Sequence, residues 1–174
     1  MSTATLEAQS HQIIDLPVLE LNAERFAPYG SVIAPMDDGA PFGAHDAQLD
    51  LSGGTPRLYA MRIPARGLTF TRITRHRRVT QALASVGGRA WFLGVAPPLA
   101  LADPQAEPAL DAIRAFRIPG DVAIMLHKGT WHAGPLFDGD PQSFFNLELA
   151  DTNVVDHHTC DLTTRYGCAL HLRD

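Results

Sequence analysis

The sequence predicts an all-β fold, an antiparallel sheet closed into a barrel or packed as a sandwich, with short helices. Short runs of five to nine residues recur from Arg57 to Leu149, and residues of the tight-turn type separate them. Many of the 14 Gly and 13 Pro in the 174 residues mark those separators. Strand after strand at this rhythm is the pattern of closed or sandwiched antiparallel sheets. A chain of this length buries roughly two thirds of its unfolded surface as one domain, so it needs no staple of disulfides or zinc. The expected organisation is a loose, polar N-terminus over residues 1–12 and a single domain over 13–174.

Asn22 caps a turn of helix formers, Ala23-Glu24-Arg25-Phe26, which Pro28 and Gly30 bring to an end. Ser31–Ala34 leaves that turn as a strand. Residues Pro35 to Pro56 form a long loop, a length often associated with function, and its His45 is a candidate lid residue. Eight strand runs follow: Arg57–Ile63, Leu68–Thr74, Val79–Val86, Arg89–Val95, Ala112–Ile118, Val122–Leu126, Trp131–Phe137 and Ser143–Leu149. Gly87-Gly88, Pro97-Pro98, Pro119-Gly120-Asp121 and Asp138-Gly139-Asp140-Pro141 are the clearest breaks between them. Asp103–Ala112 is the one competing helix, weakened by Pro104 and Pro108.

Fourteen Lys and Arg against nineteen Asp and Glu leave a formal charge of −5, which argues against a nucleic-acid partner. No run approaches the ~20 apolar residues of a membrane span, and residues 1–12 carry no leader pattern. The chain reads as a soluble, cytoplasmic protein. Cys160 and Cys168 are too few for a disulfide scaffold and read as free thiols.

Eight histidines are the unusual feature of the composition. Imidazole titrates near neutral pH and ligates metals, so its position matters. His76 lies in Thr74-Arg75-His76-Arg77-Arg78, where strand alternation points it away from Arg75 and Arg77. The three arginines read as a solvated, charged strand edge. His127 and His132 flank Lys128-Gly129 after the strand launched by Pro119-Gly120-Asp121. Trp131 reads as a packing residue. His157 and His158 read as part of a polar C-terminal segment, and His11 and His171 as solvent-facing.

The Pro-Gly-Asp turn, short strand and Gly-x-x-His132 resemble the second motif of the cupin barrels, the double-stranded β-helix or jelly-roll fold. The chain is more closely similar to the ureidoglycolate lyase family, formerly called ureidoglycolate hydrolases. Three segments carry that resemblance in order: Phe26-x-x-Tyr29-Gly30-x-Val32-Ile33, Arg75-His76-x-x-x-Thr80-Gln81-Ala82, and His127-Lys128-x-x-Trp131-His132-x-x-Pro135-Leu136-Phe137. Thr74 stands where that family commonly has Glu, and Ala133 where some relatives have a second His.

The resemblance implies a carbon–nitrogen lyase that splits ureidoglycolate into glyoxylate and urea in the breakdown of allantoin and purine nitrogen. It implies a divalent metal, Ni²⁺ being the ion it suggests, and no organic cofactor. The reaction needs a base for the hydroxyl proton, an acid for the departing nitrogen and a cation for the carboxylate. His76 and His132 suit the proton roles, with Lys128 as a further catalytic candidate. Arg57 or Lys128 suits the carboxylate, while Gln81 and His127 are candidates for substrate binding. His76, Gln81 and His132 are the candidate metal ligands. The alternatives are a metal-dependent dioxygenase or isomerase of the cupin class, or a non-enzymatic cupin that binds a small acid. Exposed strand edges point to a homodimer.

Overall fold

The computed structural model describes residues 11–174 and consists of two sheets packed face to face. The larger has eight strands in the order β12-β5-β10-β7-β8-β1-β13-β4, where β1 is Gln12–Glu20, β4 Thr69–Phe70, β5 Arg72–Arg75, β7 Trp91–Ala96, β8 Arg114–Ile118, β10 Trp131–Leu136, β12 His158–Asp161 and β13 Cys168–Arg173. The smaller runs β2-β9-β6-β11-β3, where β2 is Gly30–Ile33, β3 Pro56–Ile63, β6 Gln81–Ser85, β9 Ala123–Leu126 and β11 Gln142–Leu149. Three short helices, α1 (Ala23–Phe26), α2 (Thr152–Val155) and α3 (Leu162–Tyr166), join strands at the edges. The protein is all-β and cupin-like.

Side chains alternate across each strand, and this sorts the larger sheet into two faces. Trp91, Leu93 and Val95 of β7 and Phe116 and Ile118 of β8 face the smaller sheet, where Ile124, Leu126 and Phe144 meet them in the main core. Ala96, Ala115 and Trp131 point the other way, into a second cluster with Ile73, Cys160, Leu162 and Leu170. Both cysteines are buried there as free thiols.

The eight central runs and the Ser31–Ala34 run all contain strands, with ends that differ by no more than two residues. Leu68–Thr74 is two strands: β4 pairs with β13, while β5 pairs with β10 and β12. The break falls at Thr71, whose carbonyl accepts from Leu162 N–H (2.8 Å) instead of from a sheet neighbour. The expectation of a wholly antiparallel sheet fails at β1, which runs parallel to β13 through Gln12–Pro17 and then parallel to β8 through Val18–Glu20. Such pairings need long crossovers and leave no local turn signal.

The N-terminal boundary also moves, since β1 includes Gln12, whose N–H donates to Gly167 O (2.9 Å). The remainder of the expected loose terminus, residues 1–10, lies outside the described residues. The C-terminal segment, taken from the sequence as merely polar, supplies β12 and β13. Asp103–Ala112 contains only a 3₁₀ turn, Leu110–Ala112. Among the described residues no helix is long and apolar enough to cross a membrane.

Candidate active site

At one end of the two sheets lies a cavity of about 350 Å³. Strand alternation explains its wall. Arg72 and Thr74 of β5 face inward while Ile73 and Arg75 face the second cluster, and His76 continues the inward phase just beyond the strand. His132 of β10 pairs with Thr74 on one side and Val95 on the other, so it also faces inward, with Trp131 behind it. The smaller sheet contributes Tyr59 and Met61 of β3, Gln81 of β6 and Asn146 and Glu148 of β11. Arg66, Asn153 and His157 lie at connections around the same space.

The ring centroids of His76 and His132 stand 5.2 Å apart, and His157 is 5.6 Å from His76. His76 Nδ1 lies 2.5 Å from Asp156 O, and His132 Nδ1 lies 3.3 Å from Thr130 O. A carbonyl only accepts, so in each neutral ring Nδ1 carries the hydrogen and Nε2 keeps its lone pair. Neither Nε2 has a hydrogen-bond partner among the described residues. Burial is the main cause that lowers the His76 pKa, opposed by the Asp156 carbonyl and the nearby carboxylates. Burial, then the neighbouring His76, lowers that of His132 to about 3. Both rings are therefore neutral at pH 7.

The turn that holds His76 is fixed from two directions. Asp156 is buried, and its carboxylate accepts from the N–H groups of Arg77 (2.8 Å) and Arg78 (2.7 Å). From the other side, Gly129 N–H donates to His76 O (2.6 Å). Gly129 has φ +80°, a conformation that L side chains rarely adopt, so the turn favours glycine there.

Opposite the histidines is a wall of neutral donors around one carboxylate. Gln81 Nε2 donates to Asn146 Oδ1 and to Glu148 Oε2, each at 3.1 Å. Asn146 Nδ2 donates to Tyr59 Oη (3.0 Å), and the Tyr59 hydroxyl donates to Glu148 Oε1 (3.2 Å). Asn153 Nδ2 completes the set on Glu148 Oε1 (2.9 Å).

Of the residues singled out in the sequence, the cavity brings together His76, Gln81 and His132. Arg57 stands on the same face of β3 as Tyr59, its guanidinium 3.8 Å over the Tyr59 ring, but does not itself line the cavity. Lys128 does not line the cavity, because its ammonium pairs with Asp50 and ties down the 35–56 loop. His127 is exposed, with Nε2 3.1 Å from Ala27 O, and also lies off the wall, as does the exposed His45. Trp131 is fully buried, as a packing residue should be.

Two readings of the sequence need correction. Arg75 is not a solvated edge residue; it is 0% exposed, and its side chain donates to Leu99 O, Asp103 O and His158 Nδ1. His157 and His158 are likewise not incidental, since one lines the cavity and the other meets Arg75. The sequence missed this because the pairing of β12 with β5 brings residues 158–161 alongside 72–75, a contact no local pattern announces.

Residues 13–165 match the family model of the ureidoglycolate lyases. The chain belongs to the ureidoglycolate lyase family. It is a carbon–nitrogen lyase acting on a small molecule, and the His-lined cavity is its candidate active site. No curated protein matches the chain.

For this lyase, Glu148, Asn146 and Tyr59 went unmarked in the sequence. The run Ser143–Leu149 did contain a signal, because Asn146 and Glu148 fall in the same alternate phase as buried Phe144. Polar residues at buried positions of a strand require partners, and these find them in the cavity wall. Arg66 and Arg72, the two arginines of the lining, sit beside the breaks around β4 and carried no pattern.

Among the described residues no three His, Cys, Asp or Glu side chains converge as a metal cage. The donors that are present do suit an ion held on one side. Two imidazoles have Nδ1 fixed on backbone carbonyls and Nε2 free, the second-shell arrangement usual for metal-binding histidine. The amide oxygen of Gln81 is buried with no partner.

Proposed function

We propose that this cavity cleaves ureidoglycolate, with His76 as proton carrier, His132 as its partner in orienting the hydroxyl, and Arg66 and Arg72 as the carboxylate site. The observation that carries the reading is the pair of neutral imidazoles 5.2 Å apart, each with its free nitrogen on the side away from its backbone anchor.

The substrate carbon bears a hydroxyl, a carboxylate and the ureido nitrogen. His76 Nε2 takes the hydroxyl proton, the C–O bond becomes the carbonyl of glyoxylate, and the C–N bond breaks. The same proton then passes to the departing nitrogen, which leaves as urea, so protons balance with one carrier. His76 suits this better than His132, since Asp156 and Glu148 favour its cation while His132, with a pKa near 3, stays neutral. Each well-placed proton transfer is worth roughly 10²–10⁴-fold. Arg72 Nε is occupied by Asp161 at 3.4 Å, which leaves the outer guanidinium nitrogens for a carboxylate. Arg57, stacked on Tyr59 of the lining, is a third cation for the entering acid.

A divalent ion, nickel by family resemblance, would be held by His76, His132 and Gln81 and would act as a Lewis acid on the substrate oxygens; since Nε2 is the one free nitrogen of His76, the ion would take the place of the proton carried there. Lys128 and His127 serve instead to fix the 35–56 loop and the Ala27 turn.

The reading is tested by release of urea and glyoxylate from racemic ureidoglycolate, with and without chelator. Release above the spontaneous rate is expected, and its absence overturns the reading; loss on chelation assigns the metal. Arg72→Ala with Arg66→Ala is expected to raise KM by roughly tenfold or more, with a smaller change in kcat. An unchanged KM would move the carboxylate elsewhere.

We also propose a cytoplasmic homodimer. Its support is the outer face of the smaller sheet, where Leu58 is 66% and Phe145 47% exposed on adjacent strands, with Ala60 opposite Phe145. Light scattering should give twice the chain mass for the native protein and a monomer for Phe145→Asp.

A further inference from the structure

The cavity wall is polarised in a way the carboxylate and proton sites do not use. Glu148 is 1% exposed, and no cation pairs with it among the described residues. A buried carboxylate without a counter-ion is costly unless donors surround it. Here three do: Tyr59, Asn153 and Gln81 all donate to it. Because an ionised carboxylate has about four acceptor sites, Oε2, which takes only Gln81, retains capacity for another donor.

Gln81 has its orientation forced by the same network. Its amide nitrogen faces two acceptors, Asn146 Oδ1 and Glu148 Oε2, so a flipped amide would set oxygen against oxygen. Its Oε1 is thereby committed as an acceptor, and it is buried with no partner in a side chain only 6% exposed. The wall from Gln81 to Glu148 thus has unspent acceptors. The opposite requirement, unspent donors, is met across the cavity by Arg66 and Arg72.

We infer that Glu148 and Gln81 form a subsite for the N–H groups of a ureido or carbamoyl substituent, and that this subsite sets the substrate class. The inference rests on the lyase reading for the orientation of the substrate but not for the chemistry of the wall. A ligand with a carboxylate at one end and a terminal NH₂ at the other satisfies both sides at once. One with a methyl in place of the NH₂ leaves the spare acceptor capacity of Glu148 Oε2 unused and the buried Gln81 amide oxygen without a donor.

The test uses two acids that lack the reactive hydroxyl and so are not cleaved, N-carbamoylglycine and N-acetylglycine, which differ in that NH₂ against CH₃. Calorimetry on the wild-type protein should show tighter binding of the carbamoyl compound by roughly ten- to a hundredfold, the size of a hydrogen bond to a charged group. In Glu148→Gln the new amide lets Gln81 turn, the wall acquires donors, and the ratio should fall to about one, with N-acetylglycine affinity held. A merely structural role for Glu148 would weaken both ligands together, and that result overturns the inference. So does a wild-type protein without preference, a measurement that needs no variant to fold. A wild-type protein that prefers the carbamoyl compound yet releases no urea and glyoxylate sinks the lyase reading and leaves the ureido subsite standing.

Discussion

His76→Ala is expected to lower kcat/KM for ureidoglycolate by about a thousandfold, within the 10²–10⁴ range of a lost proton transfer. The ring is 5% exposed, has its Nδ1 spent on Asp156 O and meets the substrate space through Nε2 alone, and the neighbouring His132, with a pKa near 3, is a far weaker base. His132→Ala should cost less, roughly ten- to a hundredfold, because a ring with a pKa near 3 orients the hydroxyl and does not carry its proton. The pH dependence carries the same assignment. Activity requires the neutral ring, burial lowers the pKa of that ring below 6.5, and protonation removes the base as pH falls. The acid limb of kcat/KM should therefore lie below pH 6.5, with activity level above it through neutrality. Parallel stopped assays for glyoxylate on the two variants decide the matter. Near-native turnover by His76→Ala, or a larger loss in His132→Ala, would exchange or remove the roles.

How far this site could be read in the sequence follows from which contacts are local. His76, Gln81 and His132 were legible because each sits at a definite phase of a strand or turn whose boundaries Gly and Pro mark, as Gly129 does between Lys128 and His132. The strands of the middle of the chain were legible for the same reason. Lys128 was misplaced because its nearness to the motif in sequence says nothing of the Asp50 carboxylate, which the 35–56 loop delivers from far along the chain. The parallel strand β1 and the late strands β12 and β13 escaped for the related reason that their partners are distant. Arg75 and Glu148 show what is lost with them. Both are charged, and both are buried where strands far apart in sequence meet over them.

Arg75 accordingly carries the largest expected stability effect. Its guanidinium donates to Leu99 O and Asp103 O, each at 2.7 Å, and to His158 Nδ1 at 3.0 Å, and it stacks 4.7 Å from the Trp131 ring. These bonds fasten the loop after β7 and the strand β12 to β5. Truncation to Ala would leave two carbonyls and an imidazole nitrogen without a donor, at about 1–3 kcal/mol for each group that water cannot reach, and would open a void beside Trp131. A loss of about 3–5 kcal/mol is expected by urea denaturation, together with a fall in Tm of roughly 10 °C for a chain of this size. Arg75→Lys should recover only part of it, because an ammonium lacks the planar fork that reaches three acceptors. The side chain points away from the cavity, so the folded fraction of Arg75→Ala should keep turnover within a few-fold of the parent. A change in stability below about 0.5 kcal/mol, the usual range for a surface substitution, would return Arg75 to the solvated edge where the sequence first placed it.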